Sequence, residues 1–130
     1  MSVRYKYNRQ LSPPAPYVHV SLARPDNADL LVRDVPAQLD TAAYMTVVPM
    51  TVVEQLQLEQ LDQEAVAGFG GHISMAPVYL VSLAVNDFAA VLVRVLADRH
   101  EPYVLLGRDV LNQHRVLLDG PSLILEIGAE

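Results

Sequence analysis

Apolar and polar residues alternate along several stretches of the chain, and this alternation predicts β-strands. The pattern is strict in "YVHVSLA" (residues 17–23) and looser in "DLLVRDVPAQLD" (29–40), with the turn-like "RPDNAD" between them. Further strands are predicted in "ISMAPVYLVSLAV" and "AAVLVRVLA", which Asn86-Asp87 joins, in the run that leads into Gly107, and on both sides of Asp119-Gly120-Pro121. This spacing predicts an all-β domain, either a small barrel or a sandwich.

Two segments favour short helices instead. "PMTVVEQLQLEQLDQEA" is rich in Gln, Glu and Leu, and the partial helical spacing of Leu56, Leu58 and Leu61 predicts a helix after Pro49. A second helical turn is predicted over Asp109–Gln113.

The N-terminal residues form a separate region in the sequence. They end at "SPPAPY", where three prolines disfavour regular structure, and they contain the basic cluster "RYKYNR", which we expect to be solvated. The pattern therefore divides the chain into an N-terminal arm, residues 1–16, and a single domain, residues 17–130.

Composition narrows the classes of function. The chain has 130 residues, of which 52% are apolar, enough for a core, and its net charge of −6 argues against nucleic-acid binding. It has no cysteine, and no histidine belongs to a His-x-x-x-His pair, so we expect no metal site. No segment resembles a signal peptide, and the longest apolar region is interrupted by polar residues. We therefore expect a cytoplasmic protein without membrane association.

Several catalytic motifs are missing, while one carboxylate lies in an unusual place. The chain has no Gly-x-Ser-x-Gly elbow, and the glycines of "GFGGH" (68–72) precede a strand, unlike those of a nucleotide-binding loop. Asp40 ends an apolar run, and Thr41, Ala42 and Ala43 follow before another hydrophobic segment begins. Burying a lone carboxylate costs free energy, which calls for an explanation. A turn aspartate at a strand end is the simplest one.

A second explanation comes from two segments that follow one another along the chain, "QLDTAAYMTVVP" (38–49) and "VLLGRDVLNQHRVLLDG" (104–120). Together they resemble the retropepsin-like aspartic proteases, the retroviral protease family and its cellular relatives. That family has Asp-Thr/Ser-Gly-Ala, then a Thr, a glycine-tipped flap, and an apolar pair before Gly-Arg-Asp/Asn. The corresponding residues here are Asp40-Thr41-Ala42-Ala43, Thr46, Gly70-Gly71 and Leu105-Leu106-Gly107-Arg108-Asp109. The resemblance covers residues 18–127 and implies a small closed β-barrel of the acid-protease type, with one or two short helices and one lobe per chain.

The resemblance also implies a reaction. In an aspartic endopeptidase an ionised carboxylate takes a proton from water while a second, protonated carboxyl polarises the peptide carbonyl. The chain carries one Asp-Thr segment, so the second carboxyl must be Asp40 of another copy across a two-fold axis. A homodimer that cleaves extended peptides, without a cofactor, is therefore implied.

Roles for the residues around Asp40 follow from the same resemblance. Thr41 would form hydrogen bonds across the dimer axis, and Ala42 and Ala43 would let substrate approach closely. Arg108 would anchor the loop, and Asp109 would accept a hydrogen bond from the Thr46 hydroxyl.

The resemblance assigns roles to three further segments. Leu105 and Leu106 would pack beneath the Asp40 loop, and the segment 123–127 would help to build the dimer sheet. Gly70, Gly71 and His72 would form the substrate-binding tip of the flap, although "GFGGH" is equally typical of a hairpin loop without function.

The chain departs from the family pattern in two places. Ala42 replaces the family's glycine, and Tyr44-Met45 stand where retroviral members carry an acid that pairs with the helix arginine, so Asp34 is a candidate partner for Arg108.

Two alternative functions remain open. The same fold can serve as a catalytically inactive dimerisation or peptide-binding module. A plain β-barrel scaffold without a peptide groove is the third interpretation.

Overall fold

The structure, a computed structural model, describes residues 2–128 except for the side chain of Phe69. Within these residues the strands are β1 (Ser2–Lys6), β2 (Tyr17–Arg24), β3 (Asn27–Leu39), β4 (Val47–Pro49), β5 (Asp62–Ala67), β6 (Ile73–Val85), β7 (Val91–Asp98), β8 (Val104–Leu106), β9 (Arg115–Asp119) and β10 (Ile124–Gly128). The helices are α1 (Met50–Gln55) and α2 (Arg108–Leu111), with one 3-10 turn over Phe69–Gly71. The all-β class predicted from the alternation is confirmed.

The larger sheet closes on itself. Its strand order is β2-β3-β8-β4-β7-β6-β5, and β2 also pairs with β6, so the pairings of six strands form a closed circuit with β5 attached outside it. Within β2 the side chains of Val18, Val20 and Leu22 are fully buried while His19 between them is exposed, as the two-residue period of a strand requires. The alternation in the sequence thus becomes an inside and an outside of the barrel.

Aliphatic side chains fill the core, as expected of a chain without tryptophan. The largest fully buried side chains are those of Leu22, Leu56, Leu83, Leu106, Leu125 and Ile127. Among the described residues only one polar side chain, that of Thr46, is fully buried. A buried hydroxyl needs hydrogen-bond partners, so the surroundings of Thr46 differ from the rest of the aliphatic core.

A parallel pairing places the two sequence motifs side by side. β3 and β8 run parallel, with Ala37 opposite Val104 and Leu39 opposite Leu106. Both strands end at this point, so the residue after β3, Asp40, lies next to the residue after β8, Gly107. Residues 40 and 107, far apart in sequence, become neighbours through strand register alone.

Helix α1 is shorter than the sequence pattern predicts. It ends at Gln55, and the chain beyond it adopts a positive φ of 54° at Gln57 before β5 begins. The leucines that predict a longer helix do not share one buried face: Leu56 is buried at the helix end, whereas Leu61 is exposed. Residues 62–67 form a strand that the pattern did not indicate.

The N-terminal residues are more ordered than a solvated arm. β1 pairs antiparallel with β10, from Ser2 opposite Gly128 to Lys6 opposite Ile124, and the side chains of Val3, Tyr5 and Tyr7 pack against the core. β9 pairs with the other side of β10, which gives a three-stranded terminal sheet in the order β1-β10-β9. The edges of this sheet are therefore β1 and β9, and most of the segment 123–127 lies in its central strand, β10.

No helix within residues 2–128 has both the length and the apolar character needed to cross a membrane.

Candidate active site

The Asp40 loop begins where β3 leaves the barrel. The Asp40 backbone N–H donates to the Leu106 carbonyl oxygen at 3.0 Å, which continues the β3–β8 pairing by one residue. The Asp40 side chain is half-buried, and its Oδ1 accepts the backbone N–H of Ala42 at 3.1 Å. The Asp40 carbonyl also accepts the Ala43 N–H, at 3.2 Å. These bonds form a tight turn that fixes the direction of the carboxylate.

Arg108 holds the other side of this turn. Its backbone N–H donates to the Ala43 carbonyl at 2.9 Å, and its Nη1 donates to the carbonyls of Thr41 at 2.8 Å and Ala42 at 3.3 Å. The prediction that Asp34 pairs with Arg108 is wrong, because among the described residues Arg108 forms no ion pair with any carboxylate. Backbone carbonyls replace the acid that this chain lacks.

A buried threonine joins the two motifs beneath the loop. The Thr46 hydroxyl donates to Asp109 Oδ1 at 2.7 Å and accepts the Gly107 N–H at 3.0 Å. The Thr46 N–H donates to the other carboxylate oxygen of Asp109 at 2.9 Å. The predicted hydrogen bond between Thr46 and Asp109 is therefore confirmed. The Asp109 carboxylate accepts hydrogen bonds from both the backbone N–H and the hydroxyl of Thr46.

Gly107 allows the two chain segments to approach this closely. A Cβ atom on Gly107 would lie 2.7 Å from the carbonyl carbon of Met45 and 3.0 Å from the carbonyl oxygen of Ala43. Real Cβ atoms essentially never approach backbone atoms so closely, and backbone cannot move aside cheaply. The glycine of Gly-Arg-Asp is thus required by packing against the Asp40 loop.

Ala42, which replaces the family glycine, fits its position without backbone strain. Positive φ angles occur at four non-glycine residues of the described chain, and Ala42 is not one of them. Its side chain is exposed. The extra methyl group therefore projects from the loop and does not distort it.

A long hairpin made of β5 and β6 carries the glycine-rich segment at its tip. The strands pair from Asp62 opposite Val78 to Ala67 opposite Ile73, and the Gly68 N–H donates to the His72 carbonyl at 2.7 Å. Gly70 and Gly71 have φ of 81° and 80°, a backbone conformation that side chains disfavour. The predicted hairpin at "GFGGH" is confirmed, with His72 at its closing position.

A cavity of about 370 Å³ lies between this hairpin and the end of β7. Its lining residues are Val47, Met50, Val66, Ser74, Met75, Ala76, Pro77, Leu96, Ala97, Asp98, Arg99 and His100. Most of these side chains are apolar, with charged groups at one end. Sequence reasoning singled out none of the β7 residues among them, because the end of a strand carries no motif.

The loop after β7 contains Arg99, His100 and Glu101. Burial, together with the neighbouring Asp98 carboxylate, raises the pKa of Glu101 above its ordinary value. Within residues 2–128 no group of three or more His, Asp or Glu side chains lies close enough together to hold a metal ion.

A half-buried aspartate on a braced turn, a glycine-tipped hairpin and a small closed β-barrel are the features expected of an aspartic protease. The family described as "gag-polyprotein putative aspartyl protease" matches residues 32–113, more than half of the chain, including the Asp40 loop, the hairpin and α2. The chain belongs to this family of retropepsin-like aspartic proteases.

Solved structures show the same fold. A retropepsin-like aspartic protease from Rickettsia conorii aligns with a TM-score of 0.65 and 14% identity, over 98% of this chain and 89% of that one. EIAV protease in complex with the inhibitor HBY-793 aligns with a TM-score of 0.56 and 20% identity, over 83% of this chain and 92% of that one. No curated protein sequence matches the chain.

Proposed function

We propose that the protein is a homodimeric aspartic endopeptidase in which Asp40 of each subunit activates the hydrolytic water. The observation that carries the proposal is the Asp40 turn, whose carboxylate is oriented by the Ala42 N–H and whose backbone is held by Leu106 and Arg108. A catalytic group must be held in place to within a fraction of an ångström, and these bonds supply that support.

The reaction needs two carboxyl groups and one shared proton. The ionised carboxylate removes a proton from water, the oxygen adds to the peptide carbonyl carbon, and the protonated carboxyl donates its proton to the carbonyl oxygen. The resulting tetrahedral intermediate breaks at the C–N bond: the carboxyl that took the proton from water now gives it to the leaving amine, and the other carboxylate takes back a proton from a hydroxyl of the intermediate, which becomes the carboxylic acid product. One chain supplies one such carboxyl group, so the second belongs to a second copy.

The surrounding residues have roles in this proposal. Thr41 is exposed beside Asp40, which supports a role for its hydroxyl in hydrogen bonds with the partner loop. The hairpin tip at Gly70, Gly71 and His72 closes over an extended peptide, whose backbone bonds to the hairpin strands. The apolar cavity beside β7 accepts a substrate side chain.

The decisive experiment replaces the carboxylate by an amide. An asparagine at position 40 keeps an Oδ1 acceptor for the Ala42 N–H, so Asp40→Asn preserves the loop but removes the proton chemistry. We expect cleavage of an unstructured protein between pH 3 and 7 to fall by a factor of about 10³ or more, with unchanged thermal stability. Wild-type cleavage is expected to be inhibited by a statine-type peptide, which mimics the tetrahedral intermediate.

Asp29→Asn is the matched control, because Asp29 is an exposed aspartate in β3. It should leave cleavage unchanged. Retained cleavage by Asp40→Asn would exclude the mechanism. Binding of the statine peptide without any cleavage by the wild-type protein would instead identify an inactive peptide-binding module.

A further inference from the structure

A row of three side chains crosses the larger sheet next to Asp40. Gln38 of β3 pairs with Tyr17 of β2 on one side and with Leu105 of β8 on the other. Along each of these strands a neighbouring residue is fully buried in the barrel core, so the three side chains of the row project from the opposite face of the sheet. The backbone of Asp40 continues the pairing of β3, and Asp40, two residues after Gln38, therefore belongs to the same face as the row.

The carboxamide of Gln38 is held in one orientation. The Tyr17 hydroxyl donates to Gln38 Oε1 at 3.1 Å. Burial, and then the nearby Tyr103 phenol and Glu101 carboxyl, raise the pKa of Tyr17 above its ordinary value, so the phenol keeps the proton that it donates. Because Oε1 is occupied, the two N–H groups of Nε2 remain for another acceptor, and they have none within residues 2–128.

Tyr17 is itself fixed by its surroundings. It is only 8% exposed, and the ring of Tyr103 packs against it edge-on, with the ring centroids 5.6 Å apart and the planes at 88°. A donor that is already oriented loses less conformational entropy when it binds a ligand than a free side chain does. The half-buried Gln38 is therefore a prepared donor beside the proposed active site.

The amide lies within reach of a substrate side chain that flanks the scissile bond. A strand rises about 3.3 Å per residue, so the Cα atoms of Gln38 and Asp40 lie about 7 Å apart. An extended peptide bound at Asp40 has the same rise, which brings the side chain next to the reacting carbonyl over the row. A two-fold dimer presents one Gln38 on each side of the scissile bond, so either flanking position serves.

We propose that Gln38 is a specificity-determining residue, whose Nε2 donates a hydrogen bond to the side-chain carbonyl of a substrate asparagine or glutamine next to the scissile bond. Tyr17 is the positioning residue for this amide. The inference rests on the proposed function, because it names the class of peptide that the Asp40 site cleaves. An aliphatic substrate side chain leaves both N–H groups unpaired, and a substrate carboxylate is disfavoured by the neighbouring acids Glu101 and Asp98.

Three peptides that differ only in one residue flanking the scissile bond test the proposal. Methionine has nearly the shape of glutamine without its hydrogen-bonding groups, and glutamate has the shape with a charge. We expect kcat/KM for the glutamine peptide to exceed the values for the methionine and glutamate peptides at least about tenfold.

Two variants assign this preference to its residues. Gln38→Met removes the amide with little change of volume and should bring the ratio of kcat/KM between the glutamine and methionine peptides to about one. Tyr17→Phe removes only the hydroxyl and should lower the ratio several-fold, whereas a purely structural role of Tyr17 would lower both values equally and keep the ratio. Gln10→Met, at an exposed glutamine outside the site, is the matched control and should keep the wild-type ratio.

Binding of peptides that cannot be cleaved separates this inference from the proposed function. Reduced-amide analogues of the glutamine and methionine peptides carry a methylene in place of the scissile carbonyl, so their Kd values report recognition alone. Tighter binding of the glutamine analogue that Gln38→Met abolishes supports the role of Gln38 even if the wild type cleaves no peptide, a result that counts against the protease only. Equal Kd values in the wild type, a preference for glutamate, or a preference that survives in folded Gln38→Met would overturn it. The wild-type comparison decides where a variant does not fold.

Discussion

The side chain of Thr46 is fully buried, yet its hydroxyl both donates and accepts a hydrogen bond. The hydroxyl donates to Asp109 and accepts from the Gly107 N–H, so one residue links β4, the end of β8 and α2. A buried polar group is stabilising only while its partners are complete. The Asp40 turn rests on this small network.

Replacing Thr46 by valine keeps the shape of the side chain and removes the hydroxyl. The Gly107 N–H loses its partner, and Asp109 loses one donor. We expect Thr46→Val to lower the free energy of unfolding by about 2–3 kcal/mol, measured by urea denaturation. Thr46→Ser keeps the hydroxyl and should cost about 1 kcal/mol for the lost methyl group. Equal losses in the two variants would show that packing, and not hydrogen bonding, determines the effect.

The sequence predicted the contact between Thr46 and Asp109 but not the partners of Arg108. When two side chains bind each other, the residue types at both positions can be recognised in a sequence. Arg108 binds the carbonyls of Thr41 and Ala42, and every residue type has a carbonyl, so no pattern identifies its acceptors. The expected partner, Asp34, forms no ion pair with Arg108.

The sequence pattern predicted the strands that have one buried face. It did not predict strands in which neither face is buried. β2, β6 and β7 alternate between buried and exposed residues, and their positions follow from the pattern. In β5 all six residues are exposed or half-buried, so no apolar period marks it, and β4 and β8 have only three residues each. β1 was missed because its charged residues face solvent and its apolar ones cover the core from outside.

The hairpin tip gives a prediction that separates two kinds of glycine. Gly70 and Gly71 have positive φ, so Gly70→Ala and Gly71→Ala each impose backbone strain of about 1 kcal/mol. Gly68 has φ of −92°, and a Cβ atom there would meet its nearest neighbour, the His72 carbonyl oxygen, at an ordinary 3.8 Å. We expect kcat/KM for a peptide to fall several-fold in the first two variants and to stay unchanged in Gly68→Ala. The same kcat/KM in all three variants would argue against a role for the tip in substrate binding.

At the scale of the whole molecule, the barrel closes within one chain, whereas the proposed active site requires a second copy. The barrel closes within one chain through the pairing of β2 with β6, and its core needs no second subunit. The Asp40 carboxylate, in contrast, has its only described side-chain contact with the Ala42 N–H of its own loop. Folding of the barrel and the proposed catalysis therefore place different demands on assembly, and the hydrophobic pattern of the sequence bears directly only on folding.

Subunit mixing tests this separation. Asp40→Asn chains fold and dimerise in our proposal, so they should capture wild-type chains in mixed dimers with one carboxylate. At a tenfold excess of the variant, random assortment puts about nine in ten wild-type chains into such dimers. We expect wild-type peptidase activity to fall about tenfold after subunit exchange, with an equal mass of inert protein as the control. Undiminished activity in the mixture would show that one Asp40 suffices.

The pairing of β1 with β10 has a consequence for protein engineering. Ser2 stands opposite Gly128, and the Cα atoms of paired antiparallel residues lie about 5 Å apart. A linker of a few residues between these positions would yield a cyclic polypeptide. Such a ring can be reopened at the exposed Gly120 turn, where an added Cβ atom meets nothing within 4 Å, to give a circular permutant with new ends beside β9.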